Sequence, residues 1–210
     1  MSLSDKFVNL ASSIRAGSGL NQELSLDNMY MILAAHSFKA LPGVNLINGS
    51  DPTTFVKDNI DEYTFAFASG GNGVGSLIDL GPSAFKAKHG FKISNQEYGS
   101  KDFNQRPVYY ERGIYTMSIW ARGEQGQQFY WRSWSTRQIE RKDFAMHDDL
   151  WHRYSYTFDT TKWSDADLVK ASYAFGAEKA PDSIEFAQPM LEVGDTAHDW
   201  QPSPYDKLGG

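Results

Sequence analysis

From Leu41 to the C-terminus, apolar and polar residues alternate in short runs separated by Gly, Asn, Asp and Pro. This is the period-two pattern of half-buried strands, and it predicts an all-β sandwich. Tyr63-Thr64-Phe65-Ala66-Phe67-Ala68 alternates cleanly and is followed by a Gly70-Gly71-Asn72-Gly73 hairpin tip and the strand-like Leu77-Ile78-Asp79-Leu80. That glycine cluster lacks dinucleotide spacing, and no Lys-Ser/Thr follows it. Near the end, Ile184 and Phe186 alternate with polar neighbours until Pro189 removes a backbone donor, which implies an edge position or a bulge. Gly194-Asp195-Thr196 is turn chemistry. Trp200 is the one large apolar side chain in the polar exit segment, so it is expected to fold back and pin the terminus.

Residues 1–40 have a different texture. Leu3, Phe7, Leu10 and Ile14 recur at helical spacing behind Ser4 and stop at Gly17-Ser18-Gly19. Leu26, Met29, Tyr30 and Leu33 repeat that spacing behind Ser25, although Met29 to Leu33 is apolar all round and also admits a buried strand. Two short helices with narrow stripes are marginal alone, so they either cap the domain that follows or associate with copies of themselves, making a homo-oligomer. The organisation read here is a helical segment at 1–40 and a sandwich at 41–210.

Strand parity turns the pattern into faces. From Tyr115 to Arg122 the set Tyr115, Met117, Ile119 and Ala121 is apolar, and the alternate set Thr116, Ser118, Trp120 and Arg122 is polar apart from one indole. The apolar set faces the core, which leaves Trp120 beside Arg122 on the open face. In Gln128 to Trp134, placing Phe129 and Trp131 inward sends Tyr130, Arg132 and Trp134 outward. A hairpin through Glu124-Gln125-Gly126-Gln127 would then join Trp120, Arg122, Tyr130, Arg132 and Trp134 on one sheet. Three rings and two guanidiniums suit a sugar, whose flat C–H faces stack on aromatic plates and whose hydroxyl rim meets planar donors. The competing reading is that individual rings cover the other sheet or a loop.

Composition narrows the classes. A length of 210 residues permits a real core without staples, in keeping with the absence of cysteine, which excludes disulfides and thiolate-bound zinc. A net charge of -6 argues against nucleic acid as a partner. No apolar run approaches the length of a membrane span, and the N-terminus lacks the pattern of a signal peptide. Aromatic content of 14%, with six Trp and eleven Tyr, exceeds what a core needs and places some rings on a surface.

Four segments carry a resemblance. They are Gly43-Val44-Asn45-Leu46-Ile47-Asn48-Gly49-Ser50, Arg112 to Gly123 around Tyr115-Thr116-Met117-Ser118-Ile119-Trp120-Ala121, Trp151-His152-Arg153-Tyr154-Ser155-Tyr156-Thr157-Phe158, and Gln188-Pro189-Met190-Leu191-Glu192-Val193-Gly194-Asp195-Thr196-Ala197-His198-Asp199-Trp200-Gln201-Pro202. In this order they resemble the carbohydrate-binding-module-like jelly-roll domains of tail and baseplate proteins from bacteriophages of Gram-positive bacteria. Met190, where that pattern has Lys, and Gln188 before the proline depart from it. The resemblance implies a jelly-roll fold and a non-enzymatic module of a phage or prophage tail, placed in the virion and adhering to host cell-wall polysaccharide or another glycan. It also implies other tail or baseplate subunits as partners. The alternative is a structural connector that uses the same face for protein contact. No cofactor is required. A structural calcium ion of the kind such sandwiches often carry would draw on Asp51, Asp61 and Asp199.

Other chemistry finds less support. His147, Asp148, Asp149 and His152 lie in a loop without the spacing of a zinc site. Glu185 with Glu192, or Asp165 with Asp167, would serve a glycosidase only at separations of roughly 5 to 9 Å, and no flanking motif supports either pair. Removing residues 1–40 is expected to leave a folded sandwich, because the alternation begins at Val44, and to lower the oligomeric state if the helices associate. Light scattering on both chain lengths checks this, and an unchanged mass assigns the helices to a cap.

Overall fold

The structure is a computed structural model, described over residues 42–47, 50–51, 56–57, 68–71, 74–81, 85–94, 101–105, 111–135, 138–177 and 183–203. The expected helical segment at 1–40, most of the run from Tyr63 to Ala68, and Asp61 lie outside the described residues. Within them the chain forms strands β1 (Val56–Lys57), β2 (Ala68–Gly71), β3 (Val74–Asp79), β4 (His89–Ser94), β5 (Lys101–Gln105), β6 (Ile114–Arg122), β7 (Gln128–Trp134), β8 (Gln138–Ala145) and β9 (His152–Asp159). Helix α1 (Asp165–Lys170) and strands β10 (Ser172–Ala177) and β11 (Ile184–Val193) complete the order. The α1 N-terminus is capped by the Ser164 hydroxyl, which accepts from Asp167 N.

Two sheets face each other, one ordered β1-β2-β5-β10-β7-β8 and the other β3-β4-β11-β6-β9. Every pairing is antiparallel except β1 with β2. The chain changes sheet at most connections, as an all-β jelly-roll sandwich requires. Parity places Tyr115, Met117, Ile119 and Ala121 in the core, where they are buried with Phe129 and Trp131 of the opposite sheet. The interface between the sheets is largely aromatic. Phe129 meets Phe186 edge-on at 5.4 Å, and Trp131 lies 4.5 Å from Phe158.

The expected β6–β7 hairpin does not form. After the turn closed by Gln127 N to Glu124 O at 3.1 Å, β7 crosses to the six-stranded sheet and pairs with β8 and β10. Two causes act together. Both edges of β6 are occupied, by β11 and β9. A hairpin would also set two apolar faces side by side with nothing above them, whereas folding β7 over β6 buries each against the other.

β11 lies at the centre of its sheet, yet it contains Pro189. A bulge resolves the conflict: the register slips between Ala187 and Met190, and Gln188 takes a positive φ of 51°. The Pro189 carbonyl points out of the ladder and accepts from Asn45 Nδ2 at 3.1 Å and from Trp200 Nε1 at 3.2 Å. The Asn45 side chain also donates to Gln201 O and accepts from Ile47 N and Leu191 N, so its hydrogen-bonding capacity is filled by four bonds. Fully buried Glu192 accepts from Gly43 N at 2.8 Å and from His198 N at 2.9 Å, and its Oε2 lies 2.6 Å from His198 Nδ1. Trp200, 5% exposed, packs with Ala87 and Met190 and against Leu80. The opening and closing segments are thus tied together across β11.

Trp200→Ala is expected to cost about 3 kcal/mol, as large-to-small changes at buried sites do. Asn45→Ala, which strands Leu191 N and Ile47 N, should cost about 2 to 4 kcal/mol. Denaturant melts measure both, and a cost below about 1 kcal/mol for either would separate that residue from the clamp.

Candidate functional site

The outer face of the five-stranded sheet is read directly from the register. One row crosses all five strands as Ile78, Gly90, Ala187, Trp120 and Arg153. The next row runs Ser76, Lys92, Glu185 and Arg122. Small residues on the two inner strands form a floor between larger ones. A Cβ at Gly90 would collide with the Phe186 carbonyl oxygen. The closing segment covers the other half of this face, where Arg153 Nη2 donates to Ser118 Oγ at 2.9 Å and also to His198 O, and Thr116 Oγ1 donates to Gly194 O at 2.8 Å.

The uncovered half is a cleft of about 700 Å³. Phe85, Trp120 and Trp151 supply its aromatic lining, with Phe85 edge-on to Trp120 at 5.6 Å and to Trp151 at 5.0 Å. The Arg122 guanidinium lies over the Trp151 ring at 4.9 Å, and its Nε and Nη2 both meet Glu185 Oε2, at 2.7 and 2.6 Å. Arg122 remains 46% exposed and Glu185 19%. Asp79, Gln188 and Leu80 complete the lining.

Each ring has an anchor. Lys86 and Ala87 follow Phe85, and their backbone N–H groups donate to the Gln188 amide oxygen at 2.6 and 3.2 Å, with that amide oriented by the donors it faces. Trp151 follows a turn in which Asp148 Oδ1 accepts from Leu150 N at 2.8 Å and lies 2.7 Å from His152 Nε2. Those two contacts, the backbone one first, hold the exposed Asp148 carboxyl below the usual range. Trp120 sits on a central strand.

The five residues expected to share one face are divided by the sandwich. Trp120 and Arg122 line this cleft, whereas Tyr130, Arg132 and Trp134 project from β7 onto the outer face of the other sheet. There Arg132 lies over both Tyr130, at 5.3 Å, and Trp134, at 5.1 Å, while Arg141 covers Tyr130 at 4.3 Å and binds Asp143. Tyr130 is 1% exposed and has no face left to offer as a plate; Trp134 is 40% exposed. Sequence reasoning missed Phe85, Trp151 and Glu185 as members of the cleft. Trp151 carried a signal, because it shares parity with Arg153 and Ser155. Phe85 carried none, since it sits in a non-periodic connection.

Among the described residues, the remaining candidates do not come together as catalytic or metal groups. Glu185 and Glu192 are opposite Arg122 and Thr116, six positions apart on β6, or roughly 20 Å at a strand's rise per residue. Asp165 pairs with Arg112, and Asp167 meets Ser164 Oγ and Ser135 Oγ. Among the described residues no three His, Asp or Glu side chains converge as metal ligands. Asp51 Oδ1 accepts from Lys88 N and His89 N, and Asp199 is exposed. No described helix is long and apolar enough to cross a membrane.

No family model matches the chain, and no curated protein matches it by sequence. Among solved structures, the chain is similar to a Bacteroides thetaiotaomicron VPI-5482 protein assigned as sugar-binding, with TM-score 0.57, 15% identity, and coverage of 71% of this chain and 100% of that one. It is also similar to the enzymatically active domain of bacteriophage CBA120 tailspike protein 4, with TM-score 0.49, 12% identity, and coverage of 72% and 21%. TmCBM61 in complex with β-1,4-galactotriose gives TM-score 0.43, 14% identity, and coverage of 60% and 88%. At these identities the likeness is one of architecture, and the first of them shows the all-β sandwich.

Proposed function

We propose that this chain is a non-enzymatic carbohydrate-binding module whose ligand lies in the cleft on the five-stranded sheet. The carrying observation is the convergence of Phe85, Trp120 and Trp151 with the Arg122–Glu185 pair in one concave site built largely on strands. Rings cover the C–H face of a sugar, and a charged pair on the same wall meets its hydroxyls. Concavity favours saccharide over a protein partner, which would dock on a flatter apolar patch. The sugar-binding assignment of the Bacteroides protein supports the same reading. The finer assignment, a phage tail or baseplate component adhering to host cell-wall polysaccharide, is supported by the four sequence motifs around Asn45, Trp120, Trp151 and Trp200.

Calorimetric titration against cell-wall polysaccharide fragments tests the site. Trp120→Ala and Trp151→Ala should each weaken binding about tenfold, or 1.4 kcal/mol, while moving the melting temperature by only a few degrees. Trp134→Ala on the opposite face should leave affinity unchanged. Loss of binding in Trp134→Ala with normal binding in Trp120→Ala would move the site to the six-stranded sheet.

A further inference from the structure

We infer that the cleft selects neutral glycans and reads a vicinal diol of the sugar through the free ends of the Arg122–Glu185 pair; this rests on the saccharide reading above. Both Arg122 contacts converge on one carboxylate oxygen, Glu185 Oε2. Arg122 Nη1 and Glu185 Oε1 engage no other group among the described residues, although both residues line the cleft. The pair therefore presents a charged donor next to a charged acceptor. One hydroxyl can accept from Arg122 while its neighbour on the adjacent carbon donates to Glu185, so each group satisfies the other's unmet capacity. The guanidinium is pre-set for this, because the Trp151 ring fixes one of its faces at 4.9 Å and β11 holds the carboxylate opposite it in register.

Charge decides against acidic sugars. The charged side chains of the lining are Arg122, Glu185 and Asp79, and Lys92 stands opposite Glu185 in the same outward row, so the face carries no net positive charge, in a chain whose net charge is -6. A uronate or a phosphate-bearing wall polymer would meet no excess of cations there, since Arg122 is already neutralised by Glu185. A neutral pyranose needs no such excess, and its binding should change little with ionic strength.

The test uses the full chain and immobilised polysaccharides: neutral glucan, galactan, mannan and rhamnan, with polygalacturonate and wall teichoic acid as acidic counterparts. A bound neutral polymer is measured again after periodate oxidation and borohydride reduction, which cleave the carbon–carbon bond of each vicinal diol and remove the resulting aldehydes. Binding is expected on neutral polymers at both low and high salt and should be lost after periodate. It should fall at least tenfold in Arg122→Lys and Glu185→Ala, with partial recovery in Glu185→Gln, which retains an acceptor. Preferential, salt-sensitive binding to the acidic polymers would overturn the inference. So would binding that survives periodate and Glu185→Ala but is lost in Trp120→Ala, an outcome that leaves the cleft a saccharide site of another kind. Binding indifferent to Trp120→Ala, or absent from every polymer, overturns the underlying reading itself.

Discussion

A proline in the central strand of a sheet has to be accommodated, and the rest of this structure is arranged around how that is done. Pro189 cannot donate to the ladder, so β11 admits one extra residue, Gln188, at a positive φ. The irregularity is then put to use on both sides. The Pro189 carbonyl receives Asn45 and Trp200, which lock the opening segment and the exit segment onto the sheet. The Gln188 amide receives the backbone that carries Phe85 to the cleft. Because the extra residue shifts parity, Ala187 and Met190 both face outward, one as part of the cleft floor and the other beneath Trp200.

That division explains why an open site survives on a face whose other half is covered. The closing segment lies over Ser118, Thr116 and Met190, and Trp120 and Arg122 remain clear of it. Small residues at Gly90 and Ala187 give depth, and ring-bearing connections supply the walls. The polar groups of the cleft are themselves held: Arg122 by Glu185 and Trp151, Gln188 by Lys86 and Ala87. A site so constrained loses little freedom on taking a ligand, which is the condition for weak individual contacts to add up to useful affinity.

The aromatic surplus is resolved differently on each sheet. On the five-stranded side the rings line a cleft. On the six-stranded side Tyr130 and Trp134 are interleaved with Arg132 and Arg141, and those guanidiniums occupy the ring faces. Directly opposed arginines on neighbouring strands would ordinarily repel. Sharing the Tyr130 ring, with Asp143 on Arg141, offsets that repulsion.

Alternation along the chain determined the fold class and the inward or outward sense of β6 and β7, because successive side chains of an extended backbone must point to opposite faces. From local pattern alone it was legible that Tyr115, Met117, Ile119, Phe129 and Trp131 are core, that Trp120 and Arg122 are not, that Pro189 marks an irregularity, and that Trp200 returns to the domain. Which strand lies beside which was not legible in that way. Parity is set within a strand by backbone geometry, whereas pairing is set between strands by which edges are free and which apolar faces need cover. β9, some thirty residues downstream of β6, occupies the edge that the neighbouring β7 would have used. Tertiary structure alone therefore separated Tyr130, Arg132 and Trp134 from Trp120 and Arg122, and it brought Phe85, Trp151 and Glu185 to the cleft from a loop, a strand start and a central strand with no shared sequence period.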